Sequence, residues 1–240
     1  MKKNNATLAV PKTVTIMFET GVGGGSIAVK QDGGALIDFW SGKQENSGII
    51  EIFARSKQML TANKIGKTAV GRVVVSKGPG SYTGIRNGWA TALGLARSLR
   101  CAFTAVSVLE ALTILASSNS SGRIIAAVPF GKTQICRQEF AFEKSPQTIK
   151  YLSVPLVSQK NELVKTICSQ DFEQIILHGN LYAQLQAEKS VEQIGERRII
   201  NAGENLAILL GRYREQNINL QNEPEADNEL IRPMYVSENK

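Results

Sequence analysis

The chain has 240 residues, 42% hydrophobic and 20% charged, which is enough apolar material for a core in one large domain or two smaller lobes. Its formal net charge is +7, but the basic residues are dispersed, and the densest cluster, Arg197–Arg198, is too short for a nucleic-acid footprint. Three widely spaced cysteines, Cys101, Cys136 and Cys168, form neither a disulfide framework nor a metal pattern and read as small buried hydrophobes in a reducing compartment.

In chain order, residues 1–12 read as a disordered leader. Its apolar stretch ends at Pro11, too short for a signal peptide, and no later stretch is long enough to span a bilayer, so a cytoplasmic, membrane-free protein is expected. Val14–Phe18, Ser26–Lys30 and Ala35–Trp40, joined by the glycine turns Gly21–Gly25 and Gly33–Gly34, predict an antiparallel meander. From Ser47 to about Asn63 the spacing turns helical, with Ile49, Ile52, Phe53 and Leu60 on one face and Ile50 widening it. A strand over Val73–Ser76, a helix over Thr83–Arg100 and a strand over Ala102–Val106 follow. Ser107-Val108-Leu109-Glu110 has the form of a capping box, opening a helix to about Ala116.

The polar loop Ser117–Gly122 is the predicted lobe boundary. Beyond it, Ile124–Val128, Thr133–Phe140 and Thr148–Val154 read as strands, and Ser158 as the cap of a helix over Asn161–Cys168. Ile175–Leu177 is a strand, Leu181–Glu188 a helix, and Asn201–Glu204 a cap before the helix Ala207–Glu215. The tail from Asn222 is acidic and irregular until Ile231–Tyr235. The expected organisation is a first lobe over residues 13–116 completed by a helix within 202–217, a second lobe over 117–201, and a tail, 218–240, returning to the core. Each lobe carries a mixed sheet and flanking helices. Two such α/β units around one cleft are the plan of actin-like, ribonuclease-H-like ATPases.

Two glycine-rich segments could carry chemistry. The turn Gly78-Pro79-Gly80-Ser81-Tyr82-Thr83-Gly84 links a strand to a helix, a geometry that holds phosphate or lets a helix pack closely. Against phosphate, three strands precede it, Pro79 removes a donor, and no G-K-[ST] follows. For packing, Gly84 and Gly88 share a helix face, where each glycine costs about 1 kcal/mol relative to alanine and admits another backbone. The hairpin Phe18–Ser26 could alternatively bind nucleotide through Glu19, Thr20, Gly23 and Gly24, although Glu19 is one methylene longer than the aspartate usual in actin-like ATPases. The lone His178 cannot make a two-histidine metal site, and no G-x-S-x-G elbow is present. No catalytic residue, metal ligand or cofactor is assigned.

The run Lys77–Leu99, K-G-P-G-S-Y-T-G-I-R-N-G-W-A-T-A-L-G-L-A-R-S-L, resembles the signature of the TsaB (YeaZ) family, G-P-G-S-F-T-G-[LIV]-R-I-G-x-A-T-A-K-G-L-A. Ala105–Leu112 resembles the family's G-V-S-S-L-E-A-L, and Arg232–Val236 its closing P-x-Y-[LV]. The resemblance implies an actin-like fold and a non-catalytic paralogue of TsaD, the subunit that holds the metal and transfers threonylcarbamoyl to adenosine in tRNA. It implies a TsaD-like partner docked on two first-lobe helices, through Ile49, Ile50 and Phe53 on one and Tyr82, Thr83, Arg86, Gly88, Trp89, Thr91 and Leu95 on the other. The same helices can pair two copies, a TsaE-like ATPase joins the complex, and tRNA is contacted indirectly. This chain departs from the family at Glu19-Thr20 (usually Asp-Thr), at Asn46-Ser47 (usually His-Ser) and at Val128–Lys132, where the family has Asp-Ala-Arg. Runner-up readings are an actin-like nucleotide hydrolase or kinase and an autonomous RNA binder.

Overall fold

The computed structural model describes residues 13–42, 49–116, 122–143, 148–195 and 198–216. The leader, Asn46-Ser47, most of the Ser117–Gly122 loop and the tail with its Arg232–Val236 motif lie outside the described residues. So do the side chains of Ile49 and Ile50.

The strand β1 (Val14–Glu19) is buried along its whole length because helices cover both faces. Alternation sends Ile16 and Phe18 to one layer and Met17 to the other. β1 pairs antiparallel with β2 (Ser26–Gln31), and β2 antiparallel with β3 (Leu36–Ser41). On its other side β1 runs parallel to β4 (Val70–Ser76), and β4 parallel to β5 (Ala102–Val106). The order is therefore β3-β2-β1-β4-β5.

The second sheet repeats this plan. Its central strand β6 (Gly122–Phe130) pairs antiparallel with β7 (Gln134–Glu143), and β7 with β8 (Thr148–Tyr151) and β9 (Leu156–Gln159). On the other side β6 runs parallel to β10 (Gln174–Leu177), and β10 to β11 (Ile199–Asn201). Two mixed sheets of matching order are the duplicated actin-like arrangement expected from the sequence.

On one face of the first sheet lie α1 (Ile49–Ala62) and α2 (Tyr82–Leu99), bringing Ile52, Met59, Ala92 and Ala96 onto Ile16, Phe18 and Val73. The second sheet is covered by α4 (Lys160–Ser169), α5 (Gly179–Ala187) and α6 (Ser190–Ile194). Between the sheets sit α3 (Val108–Leu112) and α7 (Leu206–Gln216), which join Met17, Ala28 and Val74 to Ile124, Ala126 and Phe140 in one core. Each large aliphatic side chain fully buried there contributes about 1.5–3 kcal/mol. β2 also fixes α7 directly: Ser26 Oγ accepts from Ala207 N–H at 3.0 Å, while Asn205 Oδ1 accepts from Ile208 N–H at 3.2 Å.

Several local expectations change. The inward face of α1 is Ile52, Ser56 and Met59, so Phe53 is turned outward, 44% exposed. The capping box does not form: Ser107 Oγ has no hydrogen-bond partner among the described residues, and Glu110 Oε1 accepts instead from the Tyr151 hydroxyl at 3.0 Å. Ser158 is paired within β9 and caps nothing; Gln159 precedes α4. Cys136 is buried, its thiol pushed up to about 12 by burial, but Cys101 is half-buried and Cys168 exposed. No helix among the described residues is long and apolar enough to cross a membrane.

Candidate functional site

The hairpin between β1 and β2 does not open toward a ligand. Glu19 is 1% exposed, and its Oε1 accepts from the backbone N–H groups of Gly21 at 2.6 Å and Val22 at 3.0 Å. The Ser76 hydroxyl donates to the same oxygen at 3.4 Å. Burial pushes the Glu19 pKa up to about 7, against the downward pull of these hydrogen bonds. The carboxyl group thus closes its own turn.

The hairpin is seated on the Gly-Pro-Gly turn. Ser81 N–H donates to Gly21 O at 2.8 Å, and the Thr20 hydroxyl donates to Gly84 O at 2.8 Å. A β-carbon at Gly80 would lie 2.5 Å from Gly21 O, and one at Gly84 only 2.1 Å from Thr20 O. Gly88 meets Thr20 in the same way. The close approach predicted for the Gly84/Gly88 face is real, but this chain's own hairpin makes it. The start of α2 is occupied by backbone where phosphate would sit.

Gly23, with φ +61°, brings the hairpin tip against the second lobe. A β-carbon there would lie 3.1 Å from His178 Cε1 and 3.6 Å from Asn180 Nδ2. His178 is fully buried before α5; its Nδ1 accepts from Asn180 N–H at 3.3 Å, and its Nε2 has no partner among the described residues. Burial lowers its pKa to about 4. Beside it, Gly23, Pro129, Gly131, Lys132, Gln134 and Asn180 line a pocket of about 20 Å³, room for one water. Glu19 is therefore buried in this hairpin while Thr20, Gly23 and Gly24 stay half-buried, and both the Glu19 carboxyl and the Thr20 hydroxyl are engaged within the chain. The chain has one histidine, and among the described residues no three of His, Cys, Asp and Glu gather.

The outer face of α1 and α2 is open by contrast. Phe53, Tyr82, Thr83 and Arg86 are exposed, Tyr82 at 58%, and Thr91 is half-buried. Three other residues expected on this face turn inward. Gly88 is covered by Thr20, Trp89 stacks edge-on against Phe103 with ring centroids 5.3 Å apart, and Leu95 packs on the sheet core. The sequence stripe placed Trp89 correctly as apolar; only the sheet behind it decides which side it faces. His178 and its contact with Gly23 had no local signal, since the two are joined only by the meeting of the lobes.

No curated protein sequence matches the chain. An uncharacterized protein from Pseudomonas aeruginosa with similarity to peptidase YeaZ is alike in structure, at 15% identity and a TM-score of 0.62 over 94% of this chain and 100% of the other. YeaZ from Pseudomonas aeruginosa is alike at 13% identity and a TM-score of 0.59 over 93% and 100%. At such identities the likeness shows the fold. The TsaD family, tRNA N6-adenosine threonylcarbamoyltransferase, matches residues 51–239. The chain belongs to that family as a TsaB-like (YeaZ-like) member, with a role in tRNA threonylcarbamoylation at the level of the family.

Proposed function

We propose that this chain is a non-catalytic partner of a TsaD-type threonylcarbamoyltransferase, orienting and activating that enzyme rather than reacting itself. The observation that carries the reading is Glu19, whose carboxyl group is spent on its own hairpin where a working actin-like site would present an acid to magnesium and phosphate. The exposed face of α1 and α2 supports it, because two exposed aromatics, Phe53 and Tyr82, and the exposed Arg86 are residue types enriched at protein interfaces. A TsaD-like chain is the proposed occupant of that face, a second copy of this chain its substitute when the partner is absent. A TsaE-like ATPase completes the assembly, tRNA is touched only through the partner, and the site of action is the cytoplasm. Co-expression with a TsaD-type protein, followed by size-exclusion chromatography, tests this. A 1:1 heterodimer lost in Phe53→Asp is expected; separate elution of the two wild-type chains overturns it.

A further inference from the structure

A second polar site lies at the far end of the first sheet from the hairpin, where β1 begins and α7 ends. Thr15, Met17, Lys30, Asp32, Arg72 and Arg214 line a cavity of about 120 Å³, closed further by Glu215. Among the described residues its charges do not cancel: three cations face two carboxylates. Lys30 is taken by an ion pair with Glu215, and Asp32 Oδ1 accepts from the Thr15 hydroxyl at 2.5 Å. Arg72 spends one nitrogen on Thr104 Oγ1 at 3.0 Å. Arg214 Nε is buried with no hydrogen-bond partner among the described residues. Burial lowers the pKa of Arg72, and the Arg214 charge lowers it further, while Asp32 compensates only in part. Two neighbouring guanidinium groups, one of them with a buried Nε that meets no acceptor among the described residues, are costly unless an anion joins them. An adjoining chamber of about 240 Å³ shares Met17, Lys30 and Glu215 and adds Leu36 and Ile208 together with Arg212 and Gln216.

We propose that this is a binding site for an organic phosphate monoester, its phosphate between Arg72 and Arg214 and its organic body in the adjoining chamber. Phosphate suits the pair because each planar guanidinium can hold two of its oxygens, and Met17, Leu36 and Ile208 next door favour a ligand with a carbon body over the bare ion.

Calorimetric titration of the full chain with phenyl phosphate and with inorganic phosphate, in chloride buffer, tests this. Phenyl phosphate is expected to bind more tightly than inorganic phosphate. Arg214→Gln and Arg72→Gln should each weaken binding at least tenfold, and Arg97→Gln, on the exposed side of α2, should not change it. Because Arg72 also holds Thr104, Arg72→Lys and Arg214→Lys serve as milder variants, expected to keep the fold and lose at least threefold in affinity. No binding at millimolar concentrations, or equal affinity in Arg214→Gln, overturns the proposal. In the sequence, the acidic run Glu223–Glu229 is a competing source of carboxylates. Binding that appears only after Glu223→Gln, Glu225→Gln, Asp227→Asn and Glu229→Gln are combined would make that run the occupant and overturn the free-ligand site.

Discussion

Thr20 lies so close to Gly88 that a β-carbon at residue 88 would fall 2.0 Å from the Thr20 hydroxyl oxygen and 2.8 Å from its Cβ and Cγ2. Gly88→Ala therefore sets a helix gain of about 1 kcal/mol against a clash that costs more. The expected net loss is about 1–2 kcal/mol in urea unfolding. Removing the opposing side chain as well, in Thr20→Gly with Gly88→Ala, should recover part of it. If Gly88→Ala stabilises the protein, the hairpin is not seated on α2.

Glu19 and His178 should shape pH stability in opposite directions. The folded Glu19 pKa is raised from 4.5 to about 7, so its contribution is full below pH 4.5 and is lost as pH rises to about 7. The folded His178 pKa is lowered from 6.5 to about 4, so its contribution is full above pH 6.5 and is lost as pH falls toward 4. Each is worth on the order of 3 kcal/mol across its window. The two slopes oppose each other between pH 4.5 and 6.5, and the unsubstituted chain should vary little there. Glu19→Gln should leave stability rising with pH over that interval, and His178→Asn should leave it falling. Urea unfolding at a series of pH values distinguishes these outcomes; three parallel profiles would refute both assignments.

A hairpin whose carboxyl group is spent on its own turn should not bind nucleotide. Titration of the isolated chain with ATP and magnesium is expected to give only heats of dilution up to millimolar ATP. Micromolar binding lost in Glu19→Ala would favour the nucleotide-hydrolase reading instead.

Local signals in the sequence were reliable where one chemical demand dominates. The glycine turns, the β-branched run Val73–Val75 and the meander all announce themselves within a few residues, and so does the doubled α/β plan. What was not legible depends on distant partners. Phe53 and Ile52 are neighbours of equal hydrophobicity, and only contact with β2 selects Ile52 for the core. Glu110 has the spacing of a capping residue but turns to Tyr151, forty-one residues away. The short strand β11 and the short helix α6 carry too few residues to show a period. At the site, the Gly84/Gly88 pair correctly signalled a close approach, but pattern alone could not say that Thr20 of the same chain supplies it.

Reconstituted transfer of threonylcarbamoyl to tRNA tests the central claim most directly. A TsaD-type enzyme is assayed alone, with this chain, and with Phe53→Asp, a surface change expected to move stability by no more than about 0.5 kcal/mol. The chain by itself should transfer nothing, should raise the enzyme's rate at least tenfold when added, and should lose that effect as Phe53→Asp. Transfer by the chain alone, or undiminished stimulation by Phe53→Asp, would contradict the account.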